Sequence, residues 1–468
     1  MDRRQFWNWN LQGLGAIALL DLLRRDGLLG QDAGGLHHTP RVKRAIQICL
    51  VGGMSHVDSY DYKPELAKRQ GQSLQTTEKP DIFFGQVGQL RGSDFEFRQR
   101  GESGLWVSEM FPNIAEQADD LTVVRSLVSD SANHTPALFV SNSGFQANGF
   151  PSLGSWLSFG LGSETESLPS YVVLPDGRGG PNGGASNWSS GFLPGQHQAV
   201  VFRGGDQPVR DLFPSADISQ AAEQQSQGLL ALLNQKHLER VGEDQQLLDR
   251  IRSYQLAGRL QLSVPEVSDY GSEAESVRTM YGLDDPKTED MGRRCLLGRR
   301  LLERGVRFVQ LYSGGPIAGN PRASWDAHES VKDNHGLEAG RIDKPVGALL
   351  ADLKQRGMLE DTLVMFTTEF GRTPFAQSAA DKVGPGRDHN RYGFSCWLAG
   401  GGLKSGFAFG ETDEIGWKAS VDPVSWNDLH ATVMHLFGID HRQLTFYHNG
   451  IQRRLTNVAG DVMTGVLS

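Results

Sequence analysis

A chain of 468 residues, 38% hydrophobic and 22% charged, can bury a large core as one big α/β domain or two smaller ones. That balance excludes bulk disorder, and a net charge of -9 with no long basic stripe gives no reason to expect nucleic acid as a partner. Cys49, Cys295 and Cys396 are far apart and form no CxxC pair, which argues against a zinc ribbon or a disulfide framework.

The first segment in chain order is a leader and linker, residues 1–44. Arg3-Arg4 precede Phe6 and a modest apolar run that is too short to span a bilayer. This reads as a twin-arginine-like export signal, which implies a periplasmic or cell-surface protein. The other reading is an amphipathic helix that stays with the folded chain. No clear A-x-A cleavage site follows, so cleavage stays open.

"AIQICLVGG" (45–53) predicts a buried first strand ending in a glycine turn, with Cys49 as a core residue. "LTVVRSLV" (121–128) and "PSYVVLP" (169–175) predict two more strands. The glycine-rich stretch that follows the third is too long for a tight turn, and such loops are often binding loops or lids. It contains Asn187-Trp-Ser, a glycosylation sequon of a kind that arises often by chance. Residues 217–263 have helical spacing, 290–304 predicts another helix and 305–315 the strand after it. A helix at 343–356 then leads into a strand at 362–368. Alternating helix and strand is the signature of a mostly parallel sheet with helices on both faces, here spanning 45–460 with a helical insertion at about 217–304.

Four predicted strand ends carry groups with chemistry. The first holds His56, Asp58 and Asp61; the second, His134 and Thr135 at a helix start. The third is "SWDAHESVKDNH", with Asp326, His328 and His335, and the fourth is Glu369, followed by Asp388 and His389. Imidazoles and carboxylates are ligands for zinc and similar divalent ions, and strand C-termini of one sheet converge in space. Each cluster alone says little, and Asp326 with His328 also reads as a surface-loop salt bridge. Thr135 reads either as a helix cap or as a nucleophile facing free backbone N–H groups, and His134 could instead be the ligand there. Arg372 is either an anion clamp or the partner of Glu369 or Asp388. His430 and His435, on a late apolar helix, read as structural.

The motifs "GGMSHVDSYDYKPEL", "NHTPALFVSNSG", "WDAHESVKDNH", "TTEFGRTP" and "GRDHN" together resemble the DUF1501 family, bacterial proteins common in planctomycetes, from about residue 40 to 460. That family is similar to the alkaline phosphatase and sulfatase superfamily. The resemblance implies an alkaline-phosphatase-like α/β fold and an exported, metal-dependent hydrolase of phosphate or sulfate esters. Its partner would be an anionic ester, and its cofactor one or two zinc-like divalent ions. A non-catalytic binding or scaffold protein on the same fold is the alternative.

Carried over by position, Asp58, Asp326, His328, Glu369 and His389 would hold metal, Thr135 would attack and Arg372 would steady the ester oxygens. Phe370 stands where the superfamily keeps a histidine, and His56 is expected to supply the missing ligand. No cysteine lies in a formylglycine motif, so that sulfatase mechanism is not expected. His134, His335 and Asp388 are secondary candidates.

Overall fold

The computed structural model describes residues 35–83, 86–205, 208–210, 212, 219–242, 245–317 and 322–468, so the leader lies outside the described residues. Its centre is a nine-stranded sheet. In chain order the strands are β1 (Arg44–Leu50), β2 (Leu121–Val128), β3 (Tyr171–Leu174), β4 (Val200–Val201), β5 (Phe308–Ser313), β6 (Thr362–Thr368), β7 (Phe394–Gly400), β8 (Phe407–Phe409) and β9 (Val424–Ser425). Across the sheet they run β8-β2-β7-β6-β1-β5-β3-β4, with β9 also beside β2. β1 is parallel to both β5 and β6, whereas β7 is antiparallel to both β6 and β2. All strands but β7 therefore point one way, and their C-terminal ends share one edge.

Alternation along β1 divides the core into two layers. Ile46, Ile48 and Leu50 face helices α5 (Glu289–Glu303) and α6 (Val331–Gln355). Ala45 and Cys49 face α1 (His134–Ser143), α2 (Leu153–Leu161) and α7 (Trp426–Leu436). Two further helices, α3 (Gln220–Val241) and α4 (Gln245–Ser268), form the stretch between the third strand and α5. α3 is largely exposed, while Leu260, Val264 and Val267 of α4 reach the core.

The expected strands at 121–128 and 362–368 match β2 and β6 residue for residue. The helix expected at 343–356 begins earlier, at Val331, where the Ser330 side chain accepts from the Asp333 N–H and caps it. Pro345 lies inside that helix rather than at its start, and His335 consequently sits on the helix, not in a strand-end loop. Asn187 is buried and donates to the carbonyls of Asn182 and Gly184, so the sequon is closed to a glycan in the folded chain.

A small antiparallel sheet of Val87–Leu90, Gly371–Gln377 and Arg387–Asn390 rises from the C-terminal edge, directly after β6. It returns the chain so that His389 stands over the strand ends. Gly52 and Gly53, just past β1, both have positive φ, 122° and 81°. A Cβ on Gly52 would lie 2.5 Å from the Asp326 backbone nitrogen, and one on Gly53 would lie 2.7 Å from the Phe370 ring. Only glycine permits both the turn and that approach.

Candidate metal centre

Four side chains meet at this edge: His134 from the start of α1, Asp326 and His328 from the loop after β5, and His389 from the small sheet. One ligand atom from each lies within 4.8 Å of all the others, and all four residues are buried. Asp326 Oδ1 is 2.8 Å from His328 Nε2, 3.3 Å from His389 Nε2 and 3.4 Å from His134 Nε2. His328 Nε2 and His389 Nε2 are 2.9 Å apart.

The far nitrogen of each ring explains why these Nε2 atoms face inward. His134 Nδ1 is 2.8 Å from Glu369 Oε1, His389 Nδ1 is 2.6 Å from the Ala132 carbonyl, and His328 Nδ1 bonds the Gln377 side-chain oxygen. Each acceptor is an oxygen, so each Nδ1 carries the proton and each Nε2 presents a lone pair. Burial drives His328 down to about 3 and lowers His134 and His389 as well, keeping all three rings neutral. Lone pairs turned toward one another are repulsive unless a cation sits among them. His134 Nε2 is moreover a buried atom without a hydrogen-bond partner.

This donor set fits a divalent metal. Three neutral imidazoles and one carboxylate suit zinc and its neighbours, and tetrahedral bonds of 2.0–2.1 Å would separate ligand atoms by roughly 3.3 Å. The separations around Asp326 Oδ1 bracket that value. The oxygen acceptors behind the rings are the outer partners that fix ligand tautomers at metal sites.

The other expected residues take different places. Glu369 stands behind His134: its Oε1 accepts from the Gly52 N–H at 2.8 Å as well as from the ring. Arg372 is fully buried and donates to Asp326 Oδ1 at 2.5 Å, to the Gly53 carbonyl at 2.9 Å and to the Gly52 and Arg387 carbonyls. It orients Asp326 and spends its donors on the protein. Asp388 accepts from the Phe83 and His389 N–H groups, at 2.7 and 2.8 Å. Thr135 is half-buried at the second position of α1, whose cap residue is Asn133. Pro136 has no N–H, so the open donors at this helix start belong to His134 and Thr135.

Asp58 is not among the four. Arg387 Nε donates to its Oδ2 at 2.8 Å and Ser55 Oγ to the same oxygen at 2.5 Å. Burial pushes the Asp58 carboxyl up, but Arg387 and Ser55 outweigh it and hold it below the usual range. His56 places Nε2 2.7 Å from the Gly416 carbonyl, and its Nδ1 faces Gly371. His335 Nε2 accepts from the Ser55 N–H at 2.9 Å.

Phe370 packs on two of the cluster's rings, with centroids 4.9 Å from His134 and 4.6 Å from His389. Arg322 is the cation that the sequence reading passed over. It pairs with Asp326 Oδ2 and is 24% exposed. Its signal was faint, a lone arginine four residues before Asp326.

A cavity of about 940 Å³ lies at the opposite sheet edge, lined by Val42, Lys43, Ser158, His197 and Arg307 among others. His197 there bonds Ser158 Oγ and the Gln196 side chain, and no ligand cluster among the described residues faces it.

Comparisons with known proteins bear on the whole chain. A family model described as "Protein of unknown function (DUF1501)" matches residues 42–467. No curated protein matches. Among solved structures, the lipoteichoic acid synthase LtaP from Listeria monocytogenes is 11% identical, with a TM-score of 0.37 over 90% of this chain and 76% of that one. An alkaline phosphatase from the Antarctic bacterium TAB5 is 11% identical, with a TM-score of 0.35 over 81% and 96%. The PsFucS1 sulfatase from Pseudoalteromonas sp. is 14% identical, with a TM-score of 0.36 over 95% and 75%. These likenesses are distant, and the chemistry below rests on the site itself.

Proposed function

The chain belongs to the DUF1501 family, and on that footing we propose that it is a metal-dependent hydrolase of phosphate or sulfate esters. One observation carries the reading: three buried imidazoles, each with Nδ1–H tied to an oxygen, turn their Nε2 lone pairs onto Asp326 Oδ1. His134, Asp326, His328 and His389 would hold the ion. When bound, it would supply Lewis acidity to the ester oxygens and favour ionisation of an attacking hydroxyl.

The remaining steps belong to the chain. Thr135 is the attacking group, next to His134, with the helix-start N–H groups and the positive dipole end beside it to receive an anion. Arg372 keeps Asp326 in place, and Arg322, paired with Asp326 and Glu329 on the more open side, is the guanidinium that would meet a substrate oxygen. All three cysteines are buried, and none stands at the start of α1, in keeping with a mechanism that does not use formylglycine. The Arg3-Arg4 leader supports action outside the cytoplasm. Among the described residues no helix is long and apolar enough to cross a membrane.

The rival reading is a binding or scaffold protein on the same fold. It draws on Phe370, which covers two of the rings, and on Arg372, whose donors are committed to the protein.

Metal analysis of the purified chain, alongside turnover of an aryl phosphate, a phosphodiester and an aryl sulfate, separates the two. The hydrolase carries stoichiometric metal and turns over at least one ester, and Thr135→Ala abolishes that turnover while leaving the metal bound. A metal-free protein inert on all three favours the scaffold.

A further inference from the structure

Resting on the metal-centre reading and narrowing it, we infer that the site takes a single divalent ion, because Asp58, the carboxylate expected to help hold a second, is already paired with the guanidinium of Arg387. Asp58, which the family resemblance would make a metal ligand, is completely buried and so is Arg387. Both carboxylate oxygens are already served. Oδ2 takes Arg387 Nε and Ser55 Oγ, and Oδ1 takes the Asp94 N–H at 3.2 Å and Arg387 Nη2 at 3.4 Å. The guanidinium is in turn locked by the Thr373, Arg91 and Gly92 carbonyls, at 3.1, 3.0 and 2.8 Å. Every hydrogen bond to the Asp58 carboxylate comes from a donor, one of them a guanidinium, so the pocket already holds a cation of its own.

The imidazoles that could complete a second ligand set are turned elsewhere. His335 Nε2 accepts from Ser55, and its Nδ1 is 3.0 Å from Asn334 Oδ1. His56 Nε2 is engaged by Gly416; its Nδ1, a buried atom without a hydrogen-bond partner, is shut in by Gly371, where a Cβ would lie 2.6 Å away. Among the described residues only one group can hold an ion.

Charge points the same way. Asp326, Glu369, Asp388 and Glu329 face Arg372 and Arg322, which leaves two negative charges at the centre. A single dication balances them. A second would leave two uncompensated positive charges in a buried site, where charge is costly. With one ion, only one of the two reacting oxygens of an in-line displacement can be clamped by metal.

The test loads the full chain with Mn²⁺ by equilibrium dialysis, counts manganese per chain and records its electron paramagnetic resonance spectrum. One manganese per chain with the spectrum of an isolated ion is expected. Two per chain with an exchange-coupled spectrum overturns this inference and leaves the metal-centre reading standing. No bound manganese overturns both. Asp58→Asn provides an independent arm. It is expected to keep one manganese with a dissociation constant changed by less than about tenfold, the lower bound for a residue supporting a metal ligand. Loss of manganese from a folded Asp58→Asn protein would place Asp58 among the ligands and contradict the inference.

Discussion

Asp58 and Asp326 are both buried carboxylates at the C-terminal edge of one sheet, yet their surroundings are opposite. Around Asp58 every neighbour donates: a guanidinium, a hydroxyl and a backbone N–H. Around Asp326 two guanidiniums are joined by three ring nitrogens that donate nothing. The first arrangement is complete within the chain. The second is complete only when a cation joins it, because neutral imidazoles whose Nε2 lone pairs face one another and a carboxylate repel. A buried acid is thus no sign of a metal by itself, whereas its neighbours' lone pairs are.

The largest effect expected from breaking this contrast is at the closed site. Arg387→Met strands the buried Asp58 carboxylate and should cost about 3–5 kcal/mol of stability in chemical denaturation. Metal stoichiometry of the fraction that stays folded should not change. A mild effect on stability would mean that Asp58 is hydrated or paired otherwise.

At the open site, His328→Ala removes a ligand. Metal affinity should fall by more than the roughly 10–100-fold that loss of an outer partner costs, and ester turnover should fall with it. Isothermal titration with Zn²⁺ and initial rates measure the two effects. Unchanged affinity would remove His328 from the centre.

Glu369→Gln tests the layer between them. If Glu369 orients His134 from behind, the variant should bind one ion at saturation with affinity weakened by about 10–100-fold. Loss of stoichiometry would make Glu369 a ligand instead.

These sites show what the sequence could and could not convey. β2 and β6 are runs of β-branched and apolar residues bounded by polar ones, so their limits were readable to the residue. Asp326, His328 and His389 were readable as ligand candidates because each follows or adjoins a strand end. His134 ranked below Thr135, since its credential is Glu369, a residue 235 positions away that fixes its Nδ1 proton. The pairing of Asp58 was out of reach for the same reason. Its partner Arg387 is 329 positions on, and stands immediately before Asp388 and His389, which drew attention to themselves. Pairings that long belong to the topology, not to local pattern.

The smallest expected effect comes from a histidine outside both sites. His430 is buried on α7, with Nε2 2.9 Å from the Ser141 carbonyl, and burial lowers it to about 4 from 6.5. A depressed histidine binds its proton more weakly in the folded state. Its neutral form therefore favours folding fully above pH 6.5, and that contribution is lost as pH falls toward 4. His430→Gln should flatten the acid limb of the stability profile by about 1 kcal/mol at a pH of about 5.5, seen by urea unfolding across that window. An unchanged acid limb would show that His430 is already protonated when folded.

The account stands or falls on where a cation goes. Anomalous diffraction from crystals grown with Zn²⁺, recorded at the zinc edge, locates it directly. The expected map has a single strong peak at bonding distance, roughly 2.0–2.2 Å, from Nε2 of His134, His328 and His389 and from the Asp326 carboxylate. A peak beside Asp58, or fully loaded protein with no peak among the three imidazoles, would contradict it.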